Sequence, residues 1–204
     1  ISRHSKLLGH FLAALSVVWI FVASGTTLYA GSRFENDKTL FEPEVSRDEN
    51  FLEGYYFLGN YYFNLKGYES AAYAYEKALQ INPNIIAHID VSSIMINLAQ
   101  VRIEQGRIEE ADEILKNIAL TAKGFESLVA YNRARIAYSR EDYMGVVEFL
   151  KNSDYNWTVP EPPLLLADSL IRLRRNKEAA SVLMRFMNFF QELGNLTVVV
   201  TEKR

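Results

Sequence analysis

The chain has 204 residues, 49% hydrophobic and 23% charged, enough apolar material to bury the core of one or two domains. The formal net charge is −3 and no basic stripe runs along the sequence, which argues against a nucleic-acid partner. There is no cysteine, so disulfides and thiolate-bound metals are excluded, and Ile1 in place of a methionine points to a processed chain or a piece of a longer polypeptide.

Residues 7–30, LLGHFLAALSVVWIFVASGTTLYA, carry no formal charge at neutral pH and are long enough to cross a hydrocarbon core of about 30 Å. They read as a transmembrane helix. Arg3 and Lys6 precede the run, whereas Glu35, Asp37, Glu42, Glu44 and Asp48 outnumber Arg33, Lys38 and Arg47 after it. This bias predicts a single-pass protein with a cytoplasmic N-terminus and the remainder outside the cytoplasm. Tyr29 is the candidate interfacial anchor, and His10 reads as a headgroup-level or helix-packing residue. The competing reading is a cleavable signal peptide, with Val22-Ala23-Ser24 before Gly25 as the cleavage site.

The polar connector that follows takes its meaning from residues 52–84, LEGYYFLGNYYFNLKGYESAAYAYEKALQINPN. Tyr55, Leu58, Gly59 and Tyr62 fit one helix, and Tyr68, Ala71, Tyr75 and Ala78 a second, closed by Pro83. Small residues at Gly59 and Ala71 allow two antiparallel helices to approach, with Tyr62, Tyr75 and Leu58 filling the space beside them. This spacing of small and bulky positions resembles the tetratricopeptide repeat, a helix-turn-helix unit of about 34 residues. One unit cannot bury its apolar face alone, so neighbours are required on both sides. In residues 37–50 Phe41 and Val45 stand one repeat length before Tyr75 and Leu79, which predicts a half-repeat helix covering the first full unit, with Pro43 in its first turn.

Beyond Pro83 the pattern predicts an overlong helix over 84–105, with Leu98 and Ala99 in the seventh and eighth positions and the frame displaced by about six residues. Ala111 and Leu115 continue this second unit, in which Arg102 replaces the expected aromatic. Ala134, Ala137, Tyr143, Val146 and Leu150 define a third unit, broken at Arg133. A turn-rich loop is expected over 152–163, where residues preceding proline avoid the helical region. Leu166, Ala167, Leu170, Ala179, Leu183 and Phe186 define a fourth unit, expected to stop at Gly194, after which Thr197–Thr201 is β-prone. The fold class is therefore all-α: a solenoid of about four repeats plus a half-repeat, behind one transmembrane helix. The expected division is 1–31 flank and membrane helix, 32–50 connector and half-repeat, 51–193 solenoid and 194–204 tail.

Catalytic signatures are missing: the sequence has no phosphate-binding loop, GxGxxG, GxSxG or HExxH. His4, His10 and His88 are too scattered for zinc, and the acidic pairs Glu109-Glu110 and Glu141-Asp142 fall at solvated turns. No cofactor and no metal are expected, and the chain is expected not to be an enzyme. Asn156-Trp157-Thr158 and Asn195-Leu196-Thr197 fit the glycosylation acceptor pattern.

The resemblance implies a working surface on the concave face, formed mainly by the first helix of each repeat. Carrying over the family's positions gives Glu53, Tyr56, Asn60, Phe63 and Asn64, then Ile96 and Gln100, then Tyr131, Arg135 and Tyr138, then Leu164, Asp168 and Arg172. Rings beside amides and arginines suit an extended peptide or a partner helix. The alternative is that Tyr56 and Phe63 are shielded by the neighbouring repeat. The family's carboxylate clamp is not supported, since Asn60 matches it but Tyr56 occupies its lysine position. The order of a membrane span, Arg33 and Phe34, Thr39-Leu40-Phe41 and then repeats is similar to the C-terminal part of polytopic membrane glycosyltransferases. Two functions follow: a membrane-anchored, non-catalytic scaffold for protein partners, or the accessory repeat segment of such a transferase.

Overall fold

A computed structural model describes residues 3–81, 88–118, 124–151 and 159–202. Ten helices follow one another among them: α1 (Arg3–Ser32), α2 (Asp37–Arg47), α3 (Leu52–Asn64), α4 (Tyr68–Gln80), α5 (Val91–Glu104), α6 (Ile108–Ile118), α7 (Glu126–Ser139), α8 (Tyr143–Lys151), α9 (Glu161–Arg172) and α10 (Asn176–Glu202). No strand occurs among the described residues. From α2 onward each helix packs on the next, and α3, α5, α7 and α9 also touch in series. The result is a solenoid of four helix pairs with α2 as a half-repeat at its start.

Buried residues lie between successive helices rather than in one central core. Val45 of α2 packs with Leu58 and Ala74, and the Phe41 ring stacks on Phe57 with centroids 4.8 Å apart, so α2 caps the apolar side of α3. Further clusters centre on Tyr75 with Leu98, on Ala99 with Leu115, and on Leu150 with Leu166. Within each pair the eighth and twenty-fourth positions answer one another in size: Gly59 with Tyr75, Ala99 with Leu115, Ala134 with Leu150 and Ala167 with Leu183. A Cβ on Gly59 would lie 2.6 Å from Tyr75 Cδ1, and closer still to Cε1. Gly59 is therefore required by the Tyr75 ring more directly than by approach to Ala71.

The turns inside the four pairs share one geometry. Lys66, Gly106, Glu141 and Arg174, the same position in each unit, have φ of 59°, 74°, 58° and 58°. The next amide then donates back to the carbonyl five residues earlier, as from Gly67 to Tyr62 (2.8 Å) and from Arg175 to Leu170 (2.8 Å). Such left-handed caps satisfy carbonyls left open at the helix end; only Gly106 has the residue type that adopts them without steric cost.

Several expectations are corrected. The overlong second-unit helix is instead the ordinary α5, because Asp90 caps it by accepting from the Ser92 amide at 2.6 Å and residues 88–90 before it are not helical; residues 84–87 lie outside the described residues. Pro83 and Asn156 fall outside the described residues. Pro43 lies in the middle of α2 rather than in its first turn; packing of Phe41 and Val45 and the reciprocal cap between Asn36 and Thr39 sustain the helix around it. Glu161 is helical although it precedes a proline, and Pro162 and Pro163 sit buried in the first turn of α9, where no amide donor is needed. Gly194 does not end α10, and Thr197–Thr201 is helical: away from a left-handed cap, glycine costs only about 1 kcal/mol, and helix extension also overrides the β preference of valine.

Candidate functional site

The first helices α3, α5, α7 and α9 bring the carried-over positions to one face, where most are joined across repeat boundaries. Asn60 Oδ1 accepts from the Tyr75 hydroxyl at 2.7 Å and from Asn97 Nδ2 at 3.0 Å, linking both helices of the first unit to the second. Burial pushes the Tyr75 hydroxyl well above the usual tyrosine range. Tyr56 and Phe63 are half-buried against the same cluster, Tyr56 in ring contact with Tyr75 and Phe63 with Tyr68. Glu53 accepts from the His88 amide at 3.1 Å. Asn64 is exposed and Gln100 partly so, whereas Ile96 is 1% exposed and belongs to the core. Ile96 is thus removed from the candidate surface: at its register the α5 side chain points into the packing of α6 and α7.

Two polar clusters stand further along. In the first, Glu104 pairs with Arg135 and accepts from the Tyr68 hydroxyl at 3.3 Å, while the Arg135 guanidinium lies 5.9 Å from the Tyr131 ring centroid. In the second, the Tyr138 hydroxyl donates to Asp168 Oδ2 at 2.6 Å, and Arg172 donates to Asp168 at 2.9 Å and to the Tyr143 hydroxyl at 3.2 Å. The Arg172 guanidinium also lies over both rings, 5.5 Å from Tyr138 and 5.2 Å from Tyr143. Leu164 is 52% exposed at the edge of α9. Asn97, Glu104 and Tyr143 are the partners the sequence reading missed. Carrying the thirteenth position into the second unit would have found Glu104; Tyr143 holds a repeat position that reads as packing, the one Tyr68 holds in the first unit, and no repeat position signals Asn97.

The bonds set the acid–base behaviour of the second cluster. Donation from Tyr138, then from Arg172, holds the Asp168 carboxyl below its ordinary value, and the same bond to Asp168 raises the Tyr138 hydroxyl. A depressed carboxyl stabilises the fold above its unfolded pKa, about 4, and loses that contribution as pH falls through the folded value; a raised tyrosine contributes below about 10 and loses it as pH rises. Thermal melts across pH are therefore expected to show a shallower acid decline in Asp168→Asn and a shallower alkaline decline in Tyr138→Phe; because one bond sets both shifts, each variant also flattens the other limb in part, with Arg172 preserving some of the acid decline in Tyr138→Phe. A parallel shift at all pH values would mean that neither bond is coupled to folding.

Residues 66–136, spanning the first internal turn to α7, match the family model described as tetratricopeptide repeat. The chain carries tetratricopeptide repeats. Their stacking resembles the solved structure "MamA RS-1 ArsTM double mutant", with a TM-score of 0.61 and 18% identity over 84% of this chain and 92% of that chain. At that identity the likeness speaks for the fold alone. No curated protein matches the chain. Tetratricopeptide repeats are interaction modules, so protein–protein binding is the function this architecture suggests.

Proposed function

We propose that the chain is a membrane-anchored, non-catalytic scaffold whose concave face holds a protein segment within a membrane-associated complex. The observation that carries this is the row of Tyr131, Arg135, Tyr138, Asp168 and Arg172 on α7 and α9, where partly exposed rings, cations and a carboxylate alternate along one face. An extended peptide or helix can exchange its own charged groups into these pairs while its apolar side chains meet the rings. Support for the anchor comes from α1, whose stretch Leu15–Ser32 is apolar, long enough to cross a membrane and not buried against the rest of the chain. The charge bias around it favours a cytoplasmic N-terminus and extracytoplasmic repeats.

The test is capture of the full chain from membranes in mild detergent, as wild type and as the Tyr131→Ala, Arg135→Ala double variant. The wild type is expected to stay with the membrane pellet through an alkaline wash and to bring down a defined partner set. The double variant should stay with the membrane equally well but lose about nine-tenths of that set. Equal recovery of the same partners removes the concave-face reading, and release of the wild type by the wash removes the anchor. A second reading, the accessory repeat segment of a polytopic glycosyltransferase, is favoured by the joint after α1. There Arg33 pairs with Glu44, and Thr39 Oγ1 donates to the Arg33 carbonyl at 3.1 Å, so the residues carrying that resemblance form one folded unit. It requires further hydrophobic spans upstream of Ile1 in the gene.

A further inference from the structure

On the opposite side of the solenoid, consecutive second helices flank a crevice floored by the first helix between them, and this crevice differs between the two ends. Between α8 and α10 it encloses about 160 Å³ and is lined by both signs of charge, Lys151 and Glu178, over Leu166 and Leu170. Between α2 and α4 it opens to about 530 Å³, the scale of a ligand-binding cleft. There Tyr55, Leu58 and Tyr62 of α3 form the floor, and Glu42 and Glu49 on one wall face Glu69 and Tyr73 on the other.

Among the described residues, neither Lys nor Arg is part of the lining of this wider groove. Glu42 and Glu49 are exposed and have no ion pair among the described residues, and Glu69 receives only a neutral amide, Gln105 Nε2, at 2.9 Å. Two lysines of the chain already stand over rings that line the groove, Lys38 Nζ 5.9 Å from the Tyr62 centroid and Lys77 Nζ 5.7 Å from that of Tyr73, so the glutamates are the groups left to meet an occupant's cations. An apolar floor between acidic walls is complementary to one kind of occupant. We propose that the groove between α2 and α4 is a second docking site, for a protein segment in which lysine or arginine alternates with apolar side chains. The apolar side chains settle on Leu58 and Tyr55, and the cations meet Glu42 and Glu49. The site is independent of the concave face, since its lining shares no residue with it.

The test uses the full chain in nanodiscs of uncharged lipid, with empty discs as the blank, and a short fluorescein-labelled peptide of alternating lysine and leucine followed by anisotropy. The expected result is saturable binding that Glu42→Gln with Glu49→Gln weakens about tenfold, the effect of two partly exposed charge pairs. Raising salt from about 0.1 to about 1 M, which shortens the screening length from about 10 to about 3 Å, should weaken it as well. The same peptide with glutamate in place of lysine should not bind, and Arg135→Ala should bind as wild type. Because both substituted glutamates are exposed, the variant keeps its fold, and unchanged melting will confirm this. No saturable binding below about 1 mM, equal binding to empty discs, or equal affinity for the glutamine variant overturns the proposal. Loss of binding in Arg135→Ala would assign the peptide to the concave face instead.

Discussion

Gly59→Ala is expected to destabilise the first repeat by about 2 kcal/mol, although alanine is the better helix former. Three terms decide the sign. Alanine gains about 1 kcal/mol in helix propensity. Against that, the new Cβ falls within 2.6 Å of the ring of Tyr75, which is 1% exposed and cannot swing into water, so overpacking costs about 1–3 kcal/mol. Displacing the ring also strains the bond from its hydroxyl to Asn60, for about 1 kcal/mol more. Tyr75→Leu alone leaves a cavity, removes a donor from Asn60 and should cost about 2–4 kcal/mol. The double variant, Gly59→Ala with Tyr75→Leu, recreates the pairing found in the other three repeats. With the ring gone, both the overpacking and the strained bond disappear while the propensity gain stays, so it should cost about 3 kcal/mol less than the sum of the two singles. Each repeat contacts only its neighbours, so the loss should appear as faster amide hydrogen exchange in α3 and α4 with little change in α9. Additive costs, or an effect spread evenly along the chain, would show that positions eight and twenty-four are not fitted to each other.

The same pair shows what could be read before any coordinates. Gly59, Tyr75, Leu98 and Ala167 announce the fold because each repeat position has a size fixed by two local helices, and local packing repeats with the sequence. Features that depend on backbone caps were harder: Asp90 shortens α5, and Pro162 and Pro163 begin α9, although both segments contain residues that read as loop or as continuing helix. At Gly194 the reading failed because a glycine ends a helix only where the chain turns left-handed, and residue type alone does not say where that happens. The candidate surface was legible as a set of positions but not as a network. Whether Asn60 meets Asn97, or Glu104 meets Arg135, depends on the register of one repeat against the next, which spacing within a repeat does not encode.

Arg102 occupies a position where an aromatic was expected, and its side chain is only 6% exposed. It bonds to Glu76 of α4, to Glu110 Oε2 at 3.4 Å and to Gln105 Oε1 at 2.8 Å, and so ties the first unit to both helices of the second. Arg133, at the other broken position, instead lies over the Phe149 ring at 5.1 Å. In both cases a guanidinium fills a packing site through its stem and planar head, and finds a partner for its charge. Removing Arg102 need not be as costly as breaking a fully buried pair, because Glu76 and Glu110 are 44% and 47% exposed and remain hydrated when it is gone. The loss in Arg102→Ala is therefore mostly volume, about 2–4 kcal/mol. Arg102→Met restores much of that volume without a charge to desolvate, and should fall within about 1 kcal/mol of wild type. Arg102→Glu should be the most damaging of the three, since it places a buried carboxylate beside Glu76 and Glu110 and unfolds the second unit at neutral pH. Urea melts of the three variants, with exchange at α5 and α6 as the local reading, separate the two accounts. If methionine is as poor as alanine, the ion pairs rather than the packing hold these helices together.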